Sequence, residues 1–326
     1  LDQPVADFFP EWKQGRKALI TVRMLLDHTS GLQNVADTSV EIYPAPDGWQ
    51  LALAAEISNP PGQQFAYNNK AMNLLAAVFE KAAGERMDRY IQRTLLTPMG
   101  IEGRTWNDHG FDRAGHPYAM AGWNATADAM VKVGQLVLDE GRWQGRVLVD
   151  AGFIREMVAQ SPPDVPEYGL LWWRRTESVF LSIDPEAVEV QSAAGMHPDI
   201  VDALRGLAGR RFHTEPDLRS ALDAETPGGR QALIEAVKST DGTVDDLVNI
   251  QHGPVVAWEA SGYRGQYIVV VPRARLIAVR QIGDRDVDQE ADWPYGYEDF
   301  TSRVIALART FESDLAIRSR ALSESG

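Results

Sequence analysis

The chain has 326 residues, 44% of them hydrophobic, with 32 Lys and Arg against 46 Asp and Glu, a formal charge of −14 and no cysteine. That is ample for one large domain or two ordinary ones. The acidic balance argues against a nucleic-acid binder, and the lack of cysteine rules out disulfides, a thiol nucleophile and Cys-ligated zinc or iron–sulfur sites. No apolar run approaches the ~20 residues of a membrane span.

The opening Leu1-Asp2-Gln3-Pro4-Val5-Ala6-Asp7 has no initiator Met and no signal-peptide pattern. It reads as the interior of a fold, which leaves the compartment open: secreted, periplasmic or cytoplasmic. A turn-rich entry, Asp7 to Trp12, precedes an apolar helix pattern over Ile20 to Leu26, with Thr21 as N-cap and Gly31 as stop. Ser58-Asn59-Pro60-Pro61-Gly62 is a loop. A helix is predicted from Met72 to Ala83, with Leu74, Leu75, Val78 and Phe79 on one face and Gly84 ending it. Tyr90 to Leu96 continues helical up to Pro98. Thr126 caps a further helix carrying Met130, Val133, Leu136 and Val137, stopped by Gly141.

The period changes over 254–282. Val255 to Trp258, Tyr267 to Val271 and Leu276 to Val279 are β-branched or aromatic runs separated by Gly262, Gly265 and Pro272 to Arg275, which predicts a three-stranded antiparallel meander. A closing helix from about Glu298 to Phe311 points Val304, Ile305 and Leu307 inward. Helices first, antiparallel strands later and a helix last give an α+β fold. The division expected is a helical region over 1–175, an insertion over 176–250, and strands with a closing helix over 251–326. The insertion holds 14 acidic and 6 basic residues. Its stripes at Ile200, Leu204 and Leu207, at Leu218 and Leu222, and at Leu233, Ile234 and Val237 predict packed helices rather than a linker.

Several stretches together resemble the serine β-lactamase and penicillin-binding-protein superfamily, nearest its class C-like esterase and 6-aminohexanoate-dimer hydrolase branch. They are Leu1 to Val5 with Phe9-Pro10-Glu11, Ile20 through Leu32, Pro61 through Asn69, Gly134-Gln135-Leu136, Gly141-Arg142-Trp143 and Tyr168 through Trp173. The likeness covers about 1–173 and 254–312, in matching order and spacing. It implies an antiparallel sheet flanked by helices, and hydrolysis of a small-molecule ester or amide through an acyl-serine intermediate, with no cofactor.

That superfamily's Ser-x-x-Lys motif is not in this sequence. The residues three before Lys13, Lys17, Lys70, Lys81, Lys132 and Lys238 are Pro10, Gln14, Tyr67, Val78, Ala129 and Glu235. The motif is expected before Leu1, so that the N-terminal part of the fold is missing and this chain alone is inactive. Two alternatives stand beside that expectation: a noncatalytic binding or regulatory module, and a separate N-terminal chain that supplies the serine.

The resemblance makes Tyr67 and Asn69 the second motif. Tyr67 is the general base and acid, once a neighbouring ammonium lowers its phenol from ~10; Asn69 orients substrate and lysine. Without the likeness they read as a loop tyrosine and an N-cap. The third motif is Ala260-Ser261-Gly262. The resemblance implies that Gly262 lets the backbone approach the substrate, that the Tyr263 N–H is one oxyanion donor, that Ser261 keeps a hydroxyl, and that Ala260 removes the customary cation. Trp172 is a candidate cleft residue, as is Trp173; core packing is the alternative for both. His28-Thr29-Ser30 is taken as structural. The histidines at 109, 116, 197, 213 and 252 lack metal-ligand spacing, so no metal is expected. The acidic insertion is placed at the cleft rim as a lid or a homodimer contact, with a solvated decoration as the equal alternative.

Overall fold

A computed structural model describes residues 1–103, 106, 110–282 and 299–323, with 312–323 described by backbone alone. Short 3-10 turns lead into α1 (Val22–Leu26), where the Thr21 hydroxyl accepts the Met24 N–H as a cap. The helix stops well short of Gly31, because His28 takes a left-handed φ of 61° and turns the chain. Gly31 serves a close approach instead. At φ +70° a Cβ there would lie 2.1 Å from the Asn59 carbonyl oxygen, so only glycine lets the 28–32 turn lie against the loop at 57–62.

Two short helices follow, α2 (Thr38–Glu41) and α3 (Gly48–Ala54), capped by the carboxylates of Asp37 and Asp47. The long α4 (Asn69–Ala83) begins earlier than Met72 and ends at Gly84. Its cap is Asn68, whose Oδ1 accepts the Ala71 N–H, so Asn69 is the first helical residue and its side chain is not used for capping. Leu74, Ala77 and Val78 of α4 pack with Val5, Trp12, Ile20 and Leu25 into one apolar cluster. Beyond α5 (Met87–Ile91) the chain passes through a π-turn over Gln92–Leu96. It then reaches α6 (Ala127–Leu138), capped by Thr126 as the sequence predicts. A small hairpin, β1 (Arg142–Trp143) and β2 (Arg146–Val147), then α7 (Ala151–Met157), lead to β3 (Trp173–Thr176).

The chain forms two compact units, one of Leu1–Arg175 with Val256–Gly326 and one of Thr176–Val255. The second comprises β4 (Val179–Ile183), α8 (Pro185–Ala193), α9 (Pro198–Leu207), α10 (Glu215–Glu225), α11 (Gly229–Lys238) and β5 (Val248–His252). Its core includes Ile200, Leu204, Leu207, Leu218, Leu222, Leu233 and Val237, apolar positions that recur in the sequence; Ile234, of the same stripe, is half-buried and outside that cluster. It is not purely helical, because β4 and β5 pair antiparallel from Val179↔His252 to Ile183↔Val248. Four helices separate those strands, so no hairpin signal marks them.

In the first unit, β6 (Val255–Gly262), β7 (Gln266–Val271) and β8 (Leu276–Arg280) form the predicted meander, and β3 adds a fourth strand in the order β3-β6-β7-β8. The register runs Trp258↔Val270 to Gly262↔Gln266, then Tyr267↔Arg280 to Val271↔Leu276. The Arg175 guanidinium of β3 grips the buried Glu259 carboxylate of β6 with two N–H groups. On one face α6 packs Met130 and Val137 against Ile268 and Val270. Gly134 permits this, since a Cβ there would meet Ile277 Cγ2 at 2.7 Å.

On the opposite face α12 (Phe300–Ser323) buries Val304 and Ala308 against Ala257, Val269 and Val271. Leu307, expected inward, is half exposed; the i, i+4 spacing from Val304 turns Ala308 to the sheet instead. The predicted start near Glu298 lies outside the described residues. Helices on both faces of an antiparallel sheet make the fold α+β.

Candidate active site

A cavity of about 620 Å³ opens in the first unit. One wall is the chain around α2, with Asp37, Thr38, Ser39 and Tyr43; another is the entry to α4, with Tyr67 and Asn69; a third is the β6–β7 turn, with Ser261, Gly262 and Tyr263. Five of the seven residues singled out in the sequence therefore line one space, although they come from distant parts of the chain. Neither Trp172 nor Trp173 lines it. The Trp172 indole is buried among Met130, Val137, Ile154 and Ile268, where the area of a tryptophan is worth most as packing. Ala260 packs its methyl against the same cluster.

The backbone on either side of Tyr67 is clamped by one histidine. The Ala66 N–H donates to the His28 carbonyl at 2.8 Å, and the Asn68 N–H donates to His28 Nδ1 at 3.0 Å. Since Nδ1 accepts, the imidazole proton sits on Nε2, which donates to the Tyr168 hydroxyl at 3.1 Å. The Asn68 amide donates to the Leu32 carbonyl at 2.7 Å, and the Tyr67 ring rests 4.3 Å from the His28 ring. His28 is fully buried and does not line the cavity, in keeping with a structural turn.

Burial lowers the His28 pKa from 6.5 to about 4, so the ring is neutral at physiological pH. This carries a pH prediction. Folding holds the ring neutral, so its contribution is complete above pH 6.5 and is lost as pH falls from 6.5 toward about 4. A shift of that size corresponds to about 3 kcal/mol. Urea unfolding of His28→Gln at pH 7.5 and pH 4.5 should show a smaller loss between the two than the parent does. An equal loss would contradict the assignment.

Among the described residues, Tyr67 meets no cation. Burial of its surroundings pushes the phenol above its ordinary value, against the expected lowering. The lysine three residues on, Lys70, is buried and committed to Glu41 at 2.6 Å. The Asn69 side chain has no hydrogen-bond partner among the described residues, which leaves its amide open to a ligand. The cleft contributions of Asp37 and Tyr43 were not legible in the sequence; the only local signal was the Asp37-Thr38-Ser39 cap pattern of a helix start.

Among the described residues, Asp47, Asp112 and His116 have the composition of a metal site, with donor atoms within 4.8 Å of one another. Each has another task. Asp112 accepts the N–H groups of Gly48 and His116, Asp47 caps α3, and His116 stacks on Trp49 at 3.6 Å. None of the three lines the cavity. His109 lies outside the described residues.

The Beta-lactamase family model matches residues 1–295. The chain belongs to the beta-lactamase family. Among solved structures, one from Bacteroides dorei, provisionally called a beta-lactamase, superposes with a TM-score of 0.56 at 16% identity, over 94% of this chain and 77% of the other. One from Bacillus anthracis, provisionally called a 6-aminohexanoate-dimer hydrolase, gives 0.56 at 16% identity, over 96% of this chain and 67% of the other. At such identities the likeness speaks for the fold. In sequence, the chain is similar to the D-alanyl-D-alanine carboxypeptidase/endopeptidase AmpH of Escherichia coli K12, 29% identical over 93 residues. That match spans 27% of this chain and about a quarter (24%) of the curated relative. In this beta-lactamase-family chain the cavity offers a phenol, a carboxamide and a glycine turn on a strand, groups able to exchange a proton and to hydrogen-bond an acyl group.

Proposed function

We propose that this cavity is the acyl-transfer site of a serine hydrolase that cleaves esters or amides through an acyl-serine intermediate. The observation that carries the reading is the meeting of Tyr67 and Asn69 with Ser261, Gly262 and Tyr263 around one space. The serine and lysine are taken to come from outside these 326 residues, since no lysine here is preceded at the third position by serine. An ammonium beside Tyr67 would bring its raised phenol down, letting the phenolate take the serine proton and later return it to the leaving amine or alcohol.

Asn69 would orient the acyl group through its free amide. The N–H groups of Tyr263 and of the serine would hold the oxyanion, each donor being worth roughly 10²–10³ in rate. The Ser261 hydroxyl would bond the substrate, and no cofactor enters. With a methyl at Ala260 in place of a cation, the site favours esters and linear amides over lactams that bear a carboxylate. The absence of the motif and the raised Tyr67 phenol also suit a second reading, a binding module without catalysis.

Labelling with a fluorophosphonate probe separates these readings. The 326-residue chain should take no label, and a labelled serine within it would overturn the placement of the nucleophile. The product of the complete gene, including whatever is encoded before Leu1, should be labelled at a serine in Ser-x-x-Lys. An unlabelled product would favour the binding module.

A further inference from the structure

The second unit holds a cavity of its own, of about 310 Å³. Its lining is mostly apolar. Leu181 and Ile250, opposite partners in the β4–β5 ribbon, line it together with Leu218 and Leu222 of α10 and Ile234 of α11. Leu218 and Leu222 are buried in the core of the unit, whereas Ile250 is 55% exposed. Close-packed interiors leave few voids larger than a water molecule. A space that would hold roughly ten waters, at ~30 Å³ each, is more than a packing gap.

Four charged side chains complete the lining: Glu215, Arg219, Arg230 and Asp245. They are not equivalent. Arg219 and Glu215 pair with each other one turn apart on α10. Asp245 is exposed, where water and salt screen its charge. Arg230 is the half-buried member, and its guanidinium has no hydrogen-bond or ion-pair partner among the described residues. A guanidinium is weakly hydrated and presents parallel N–H donors that match a carboxylate. Beside an apolar lining it calls for a ligand with a hydrocarbon body and an anionic head. The net charge of −14 opposes anions at long range, but salt damps that field within about 10 Å, so the nearest charge decides.

We propose that the second unit binds a medium-chain carboxylate, with the alkyl chain against Leu218, Leu222 and Ile234 and the head on Arg230. The volume suits a ligand of about ten non-hydrogen atoms, the size of octanoate. None of these residues lines the cavity at Tyr67, so the proposal stands independently of the acyl-transfer reading.

The test titrates the 326-residue chain with octanoate, with octanamide, which keeps the alkyl chain and lacks the charge, and with acetate, which keeps the head and lacks the chain. The methyl resonances of Ile234 and Ile250 are followed, with octanoate kept below its micelle concentration. Octanoate should shift both resonances saturably and bind about 3- to 10-fold more tightly than octanamide, the range of a partly exposed charge pair. Acetate should leave them unmoved. Arg230→Gln should bring octanoate down to the affinity of octanamide and leave octanamide unchanged, which also shows that the cavity is intact. Equal binding of octanoate and octanamide by the parent would overturn the assignment of Arg230 and with it the proposal. So would octanoate shifts that do not saturate, that miss these two methyl groups, or that persist at full affinity in Arg230→Gln.

Discussion

Lys70→Met is expected to destabilise the protein by about 3 kcal/mol, the lower end of the cost of breaking a buried ion pair. Lys70 is 1% exposed at its side chain, and its ammonium lies 2.6 Å from Glu41 Oε1. Glu41 Oε2 is buried without a hydrogen-bond partner, so the lysine is the main compensation for that carboxylate. Methionine fills the volume of the lysine stem, and what remains is an uncompensated carboxylate at the end of α2. The double variant Lys70→Met, Glu41→Gln should therefore recover part of the loss, because the penalty lies in the stranded charge. Urea unfolding checks both. A single variant within 0.5 kcal/mol of the parent would show that Glu41 relaxes into water. The pair also ties the wall that carries Asp37 and Tyr43 to the start of α4, where Asn69 begins, so the same contact holds two sides of the cleft in register.

The strongly periodic elements were legible in the sequence. The caps at Thr21 and Thr126, the stop at Gly84 and the three-strand meander follow from local chemistry: a hydroxyl that accepts a free N–H, a glycine at positive φ, and β-branched runs between turns. What failed depended on partners remote in sequence. Leu307 looks as apolar as Val304, yet the sheet beneath α12 selects Ala308. The ribbon of β4 and β5 joins strands separated by four helices, a pairing no local pattern announces.

The site divides in the same way. Tyr67, Asn69, Ser261, Gly262 and Tyr263 could be named from motifs, because their spacing within each motif is short and the order of motifs is informative. Asp37 and Tyr43 could not, since their relevance comes from where α2 lies. The pair Trp172-Trp173 gave no way to tell packing from lining; burial decides it for Trp172. The clamp by His28 was invisible for a related reason. A buried imidazole at a turn suggests structure, but that its Nδ1 should hold the Asn68 N–H beside Tyr67 depends on a contact forty positions away.

The second large effect concerns the phenol itself. Tyr67→Phe removes one hydroxyl, which has no hydrogen-bond partner among the described residues, from a side chain that is 46% exposed, so the fold should tolerate the change. Activity should not. Loss of a general acid–base group costs on the order of 10²–10⁴ in rate, and here it would fall on kcat, since the phenol is assigned to proton transfer rather than to binding. Asn69, which is assigned to orientation, should show a smaller loss that extends to KM when changed to alanine.

The most direct measurement is the hydrolysis of a p-nitrophenyl ester by the complete gene product, with and without Tyr67→Phe, at equal thermal stability. The acyl-transfer account predicts a fall in kcat of at least about 100-fold with KM little changed. A variant that turns over as fast as its parent would contradict it.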